Sequence, residues 1–440
     1  MTSPTRKPLL ILPIEERKRE FLSRILIALE ALECGAEVLL GQQWRIFENI
    51  DRLPPGVILF KGNNVVQATS MAAAKRAGHF VCSIEEELFA VMDAPAILRH
   101  YAPLALESCD IVFTQSANQR DVLSTAHGSA RPKLKIVGNP RVDVIKQTGR
   151  QPLNDASASI REELGPFILI NTNFGSTNPI SEDIYGGFEL CVRVGLVDIE
   201  SPDSLRAFQD WVSWERLNFD ALLTVCLRLA ETGQQVVLRP HPSENSDIWF
   251  EKLQGVRGIQ VRPDGDQVDW LRASQIMVHP GSTTGLEAFL LGRPALSLTP
   301  KNHPWNETLI PNIVNPTEPD PAVAVARIAA HLSGTQPIDD DRRMVLERLH
   351  PYLEIDENRS SAQRIIACVA DQFGGLGTQD LHSILSGPSM NKRQIEKAAF
   401  TLDDVKDALG NIGSPAAADL SVDEVGQSLV RLRKKQERVG

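Results

Sequence analysis

Short apolar runs alternate with amphipathic stretches along most of the chain. "LLILPI" (9–14) predicts a strand, and 17–34 has the apolar spacing of a helix that Gly35 ends. "AEVLLG" (36–41), "GVILF" (56–60), "HFVCSI" (79–84), "IVFTQ" (111–115) and "KLKIVGNPR" (133–141) continue the strand series. A polar interval at 146–163, with Pro152, Asn154, Asp155 and several serines, reads as a linker. The rhythm then restarts with "FILINTN" (167–173), and a long irregular segment is expected from Phe174 to about Trp211. A helix follows over roughly 214–233, then "QQVVLRPHP" (234–242), a helix near 245–254, "IQVRP" (259–263) and a short helix at 266–274. Ile276 to Val278 is a buried strand, Thr284 to Leu291 a helix stopped by Gly292-Arg293-Pro294, and Ala295 to Leu298 the next strand. Beyond 335 the pattern turns helical, with one or two helices in 340–374 and others at 400–409 and 421–435.

Strands alternating with helices of 10–15 residues predict an α/β chain built on parallel sheets covered on both faces. The expected architecture is two Rossmann-like doubly wound domains facing a central cleft, with C-terminal helices. The boundaries are 1–150 for an N-terminal Rossmann-like domain, 151–335 for a C-terminal one, 336–375 for crossing helices and 376–440 for a helical tail. Strand ends of such sheets face the ligand.

Composition narrows the classes. At 440 residues the chain exceeds one ordinary core. A formal charge of −10 argues against nucleic acid as a partner. No apolar run approaches the roughly 20 residues of a membrane span, and Pro13, Glu15 and Glu16 interrupt the first one before a signal-type core can form. Six cysteines without metal spacing read as reduced core residues. These features favour a cytoplasmic protein. The last helix would end in a basic cluster, either a solvated helix end or a contact with an assembly partner or anionic lipid at the inner face of the membrane.

Four constellations carry candidate chemistry. In "HPGSTTGLEA" (279–288) a strand runs through His279 and the hydroxyls of Ser282 and Thr283 into a helix holding Glu287. Amides at a helix N-terminus make an anion site, and a carboxylate one turn in can accept from ribose. In "VVLRPHPSEN" (236–245) two prolines fix the backbone around His241, beside Arg239 at a strand end; both suit a phosphate or carboxylate. In "ILINTNFGSTNP" (168–179), Asn171 and Asn173 can hold a sugar, and the following loop brings Asp183 and Asp210. In the N-terminal half, Glu15, Glu16 and Arg19 follow the first strand, and Glu85 and Glu86 follow another; they suit acceptor binding or general-base work, or serve as ordinary helix-start acids. "GNPR" (138–141) reads as a turn at the domain boundary, and His303 as a loop residue after the last strand.

Together "RPHP" and "HPGSTTGLEAFLLGRP" resemble the GT-B glycosyltransferases, above all the branches that use CMP-sugars. With "LLILPIEERKRE", "SIEEE", "GNPRVDVI" and "FILINTNFG", the chain is similar to a family of surface-carbohydrate biosynthesis proteins that includes the retaining β-Kdo transferases of lipopolysaccharide and capsule assembly. The similarity covers about 8–335, with the crossing helices to about 374. It implies transfer of Kdo, an eight-carbon ulosonic acid, from CMP-Kdo to a saccharide or glycolipid acceptor. It further implies that His241, Ser282 and Thr283 bind the CMP phosphate, Glu287 the ribose, and Arg239 the phosphate or Kdo carboxylate. An aspartate nucleophile is expected, with Asp210 first, Asp183 second and Glu86 as the remaining choice. A monophosphate donor needs no bridging metal, and no other cofactor is expected. The open alternatives are another donor (CMP-sialic acid, a UDP-sugar or CDP-glycerol), a UDP-sugar epimerase, and a non-catalytic GT-B-like scaffold.

Overall fold

In the computed structural model the residues described are 8–180, 187–193, 197–300, 303–338, 341–372, 381–385, 390–412 and 419–435. The chain divides into two compact units, the first formed by 1–89, 94–144 and 350–440, the second by 90–93 and 145–349.

Unit 1 carries an eight-stranded sheet made of β1 (Leu9–Ile14), β2 (Glu37–Gln42), β3 (Val57–Phe60), β4 (Phe80–Ile84), β5 (Ile111–Thr114), β6 (Leu134–Ile136), β13 (Leu420–Gly426) and β14 (Leu429–Lys434), in the order β13-β14-β2-β1-β3-β4-β5-β6. β1 to β6 pair in parallel. Leu9 to Ile14 are buried along the whole strand, as a parallel strand covered on both faces requires. The helix Arg17–Glu33 turns Phe21, Ile25, Ala28, Leu29 and Leu32 into the core, at the expected three- and four-residue spacing. It ends where Gly35, at φ +82°, lets the Ala36 N–H bond back to Ala31 O at 3.0 Å.

Unit 2 carries a six-stranded parallel sheet of β7 (Ile168–Asn171), β8 (Val236–Arg239), β9 (Ile259–Val261), β10 (Ile276–His279), β11 (Ala295–Leu298) and β12 (Thr317–Glu318), ordered β12-β11-β10-β7-β8-β9. Leu222, Val225, Cys226 and Leu229 of the helix Pro202–Glu231 pack on this sheet.

Three expectations are corrected. The presumed linker is helical, Pro140–Arg150 and Asp155–Leu164, and the second helix is tied into unit 2 by Ser157 Oγ donating to Asp269 at 3.0 Å and Arg161 donating to Arg272 O at 2.9 Å. The long irregular segment is shorter than expected, because the 202–231 helix starts at Ser201, whose side chain accepts from Ser204 N, with Pro202 at its first position. The tail is not all helix. Helices Leu381–Leu385, Lys392–Ala398 and Leu402–Ile412 lead into the β13–β14 hairpin, where a helix was expected over 421–435. β14 pairs antiparallel with β2 and so covers an edge that would otherwise be open. Its basic residues are not a helix-end cluster. Arg431 pairs with Glu37, Arg433 with Asp423 at 3.0 Å and Lys434 with Glu33 at 3.3 Å. No described helix is long and apolar enough to cross a membrane.

Candidate functional site

In unit 2 the chemistry gathers where β7, β8, β10 and β11 end. Gly281, at φ +78°, turns the chain out of β10, and Ser282 caps the helix Thr283–Leu290, its Oγ accepting from Thr284 N at 3.4 Å and Thr284 Oγ1 at 3.0 Å. Thr283 is half-buried and Glu287 is buried one turn further in. The first amides of this helix have no partner one turn back within it, the arrangement that anion sites at helix starts use.

His279 does not take the ligand-facing place expected of it. It is fully buried, its Nδ1 accepts from Gly281 N at 3.1 Å, and Nε2 lies 3.1 Å from Asn315 Nδ2. Burial pushes its pKa down to about 3, so the ring is neutral and shapes the loop from below.

His241 is half-exposed at the end of β8. Its Nδ1 accepts from Ser243 N at 3.2 Å and lies 2.7 Å from Ser243 Oγ, which in the neutral ring puts the proton on Nε2. Its backbone N–H donates to Thr172 Oγ1 at 3.0 Å and Glu244 Oε1 at 3.3 Å. Glu244 joins two strand ends, since Oε1 also accepts from Thr172 Oγ1 at 2.5 Å and Phe174 N at 2.8 Å, while Oε2 accepts from Trp249 Nε1 at 2.9 Å. Glu215, from the 202–231 helix, holds the loop after β7, accepting from Ser176 N at 3.1 Å and Thr177 N at 2.6 Å. Burial raises both carboxyls, Glu215 to about 7. Sequence reading missed both. Glu244 was visible only as part of "RPHPSEN", and Glu215 lies in a helix with no motif.

Arg239 is corrected from a phosphate ligand to a brace. Its guanidinium donates to Arg262 O at 3.0 Å, Asp264 O, Gly265 O at 3.2 Å and Gln267 Oε1 at 3.3 Å, and lies over Trp270. Asn171 is buried with Nδ2 at 3.3 Å from Met277 Sδ, and Asn173 is half-buried beyond the strand end.

Asp210 stands on the 202–231 helix, not in a loop, and its Oδ2 pairs with His303 Nε2 at 2.9 Å. His303 Nδ1 accepts from Trp305 N at 3.3 Å, so the ring is held at both nitrogens and Asp210, 52% exposed, keeps a solvent-facing oxygen. Trp211 and Trp305 meet edge-on at 5.1 Å. Trp214 Nε1 donates to Asn306 Oδ1 at 3.1 Å and Asn312 Nδ2 to Asn306 O at 2.8 Å, and a Cβ on Gly281 would stand 3.6 Å from Asn312. These contacts link the 211–214 stretch of the helix to the Gly281 turn through Asn306 and Asn312. Asp183 lies outside the described residues.

Unit 1 has its own polar centre at the ends of β1, β3 and β4. Lys61 contacts Glu15 at 3.0 Å, Glu87 at 3.3 Å and Glu20 at 3.7 Å. Burial alone would lower the Lys61 pKa, but these carboxylates outweigh it and raise it. Glu15 also meets Lys397 at 3.3 Å; burial would raise its pKa, and the two lysines instead lower it. Glu16 precedes the 17–33 helix and pairs with Arg19 at 3.7 Å, while Arg19 reaches Glu87 at 3.3 Å. Glu86 lies 3.2 Å from the fully buried Arg24. Glu85 is corrected from acceptor ligand to internal anchor: it is buried, accepts from Asn63 N at 2.9 Å and Glu87 N at 3.1 Å, and burial raises it to about 8. Among the described residues no group of three or more His, Cys, Asp or Glu could hold a metal ion.

No family model matches the sequence, and no curated protein matches it. Solved structures do match. A Listeria monocytogenes protein named as a UDP-N-acetylglucosamine 2-epimerase superposes with a TM-score of 0.53 at 15% identity, over 84% of this chain and 97% of its own. The MnaA protein of S. aureus, solved with UDP, gives 0.50 at 12% identity, over 84% of this chain and all of its own. The fold is of the GT-B type. At these identities the likeness carries architecture alone, and two Rossmann-like units are what the strand orders independently display.

Proposed function

We propose that the protein is a GT-B glycosyltransferase of surface-carbohydrate biosynthesis, taking a nucleotide-activated sugar in unit 2 and a saccharide acceptor in unit 1. The observation that carries the reading is the cradle at Ser282 and Thr283, with Glu287 a turn inside and His241 oriented by Ser243, Thr172 and Glu244. A phosphate there meets helix amides and hydroxyls, and a neutral His241 donates from Nε2. The family resemblance names the donor as CMP-Kdo. In the retaining course an Asp210 oxygen attacks the anomeric carbon as its bond to the phosphate oxygen breaks, and CMP leaves with the electron pair. An acceptor hydroxyl then displaces Asp210 from the anomeric carbon and passes its proton to a general base. His303 fixes the aspartate for the attack.

A second reading, a UDP-sugar epimerase, is favoured by the structural likeness to the two proteins above. Calorimetric titration with CMP, UDP and CDP without metal separates the two. Preference for CMP, lost in Ser282→Ala, and turnover of CMP-Kdo that Asp210→Asn lowers at least a hundredfold support the transferase. Preference for UDP with release or epimerisation of UDP-N-acetylglucosamine supports the epimerase. Binding of none of the three nucleotides sinks both.

A further inference from the structure

Three of the chain's six tryptophans converge in unit 2. Trp211 and Trp214, three residues apart, share one face of the 202–231 helix. Trp305 arrives on the short helix Pro304–Glu307 after β11. The Trp211 ring lies 4.9 Å from that of Trp214 and 5.1 Å, edge-on, from that of Trp305. His303 lies nearly parallel to Trp305, its ring 6.4 Å away. Core packing accounts for Trp214, which is buried like Trp249 and Trp270. It does not account for Trp211 and Trp305, which stay half-exposed. What they expose is not their polar group. Trp211 Nε1 donates to Ser176 Oγ at 3.2 Å, and Trp305 Nε1 is buried with no hydrogen bond among the described residues. Both rings keep their N–H groups inside the protein and show carbon to solvent.

We infer that Trp211 and Trp305 form an aromatic floor for the pyranose ring of a sugar, with the Asp210 carboxylate at its rim. A pyranose has a face of C–H groups carrying partial positive charge and a rim of hydroxyls. The negative face of an aromatic ring suits the first, and a carboxylate that accepts hydrogen bonds suits the second. Both stand side by side here. Asp210 directly precedes Trp211, and His303 bridges the two halves of the floor, 2.9 Å from Asp210 Oδ2 and near-parallel to Trp305. The other Asp210 oxygen is left for a hydroxyl. Position in the fold agrees. Ser176, which holds Trp211, follows β7, and Trp305 follows β11, so the floor lies beyond the carboxyl ends of parallel strands, where open α/β sheets bind their ligands. The Asn306–Asn312 link ties it to the Gly281 turn. That the sugar is the one carried by the nucleotide rests on the proposed function; that a sugar binds here does not.

The test is saturation-transfer NMR on the full chain with free Kdo, N-acetylglucosamine and glucose, irradiating the protein's aromatic protons, beside separate titrations with CMP and UDP. The expected result is transfer to the ring C–H protons of at least one sugar. Trp305→Leu and Trp211→Leu keep apolar bulk but remove the aromatic face, and each should weaken that sugar about fivefold or more, while Trp305→Phe stays within about twofold of wild type. Transfer to none of the sugars overturns the inference. So does a leucine variant at Trp305 that binds as well as wild type, or a phenylalanine variant that fails with it, since either leaves the ring a packing role only. Transfer to the base protons of CMP or UDP that Trp305→Leu removes, with no sugar signal, gives the floor to the nucleobase and overturns it too. A sugar signal without nucleotide binding leaves the floor standing and removes the proposed function. Nucleotide binding without a sugar signal does the reverse.

Discussion

Gly285 shows how closely the anion cradle is packed at the level of single residues. A Cβ there would overlap the His279 imidazole and come within 2.7 Å of Asn315 Nδ2. Both neighbours are buried and bonded, so neither gives way easily. Gly285→Ala should therefore lower stability by about 1–3 kcal/mol and weaken nucleotide binding more than Thr283→Ala does; urea unfolding and titration check the two parts. An alanine variant as stable as wild type would mean that the His279–Asn315 contact does not hold the loop. The motif "HPGSTTGLEA" showed where the cradle lies, but not that its histidine faces inward. That depends on Asn315, 36 residues away, and on the space a glycine leaves.

At the level of elements, the β13–β14 hairpin is the least expected part. Leu432 is fully buried, pairs with Val38 of β2 and joins the unit 1 core. Leu432→Ala should cost about 2–5 kcal/mol as a cavity in that core, read as a lowered urea midpoint. A cost below about 0.5 kcal/mol, the size of a surface substitution, would detach the hairpin from the sheet. "SVDEVGQSLVRLRK" alternates apolar and polar residues about as well for a strand as it spaces them for a helix, and the choice falls to the open edge of β2. The turn decides it locally, because Ser428 at φ +52° closes a two-residue loop and its Oγ both accepts from Phe400 N at 3.1 Å and donates to Phe400 O at 3.0 Å.

For the molecule as a whole, the buried acids of unit 1 set a pH dependence. Glu85 titrates at about 8 in the folded chain against an ordinary 4.5, because burial penalises the carboxylate more than the bonds from Glu87 N and Asn63 N favour it. Between those values the folded chain holds a proton that the unfolded chain has released. This contribution to stability is full below pH 4.5 and is lost as pH rises to 8, on the order of a few kcal/mol. Chemical denaturation from pH 4.5 to 8.5 should show the wild type losing stability more steeply than Glu85→Gln. Parallel curves would place the carboxyl in contact with water.

The apolar rhythm alone was enough for two parallel α/β halves, because strands buried on both faces must be continuously apolar and the helices covering them must be amphipathic. The glycine, hydroxyl and proline turns at 138–141, 240–243 and 279–284 were equally legible, since their backbone chemistry is local. What the tertiary structure decided is partnership: that Arg239 spends its donors on the 262–265 loop, that Glu244 joins the ends of β7 and β8 while Glu215 holds the loop after β7, that Asp210 meets His303, and that the last strands close the sheet. Each depends on groups tens to hundreds of residues apart, and no spacing within one segment encodes which distant donor will satisfy a buried acceptor.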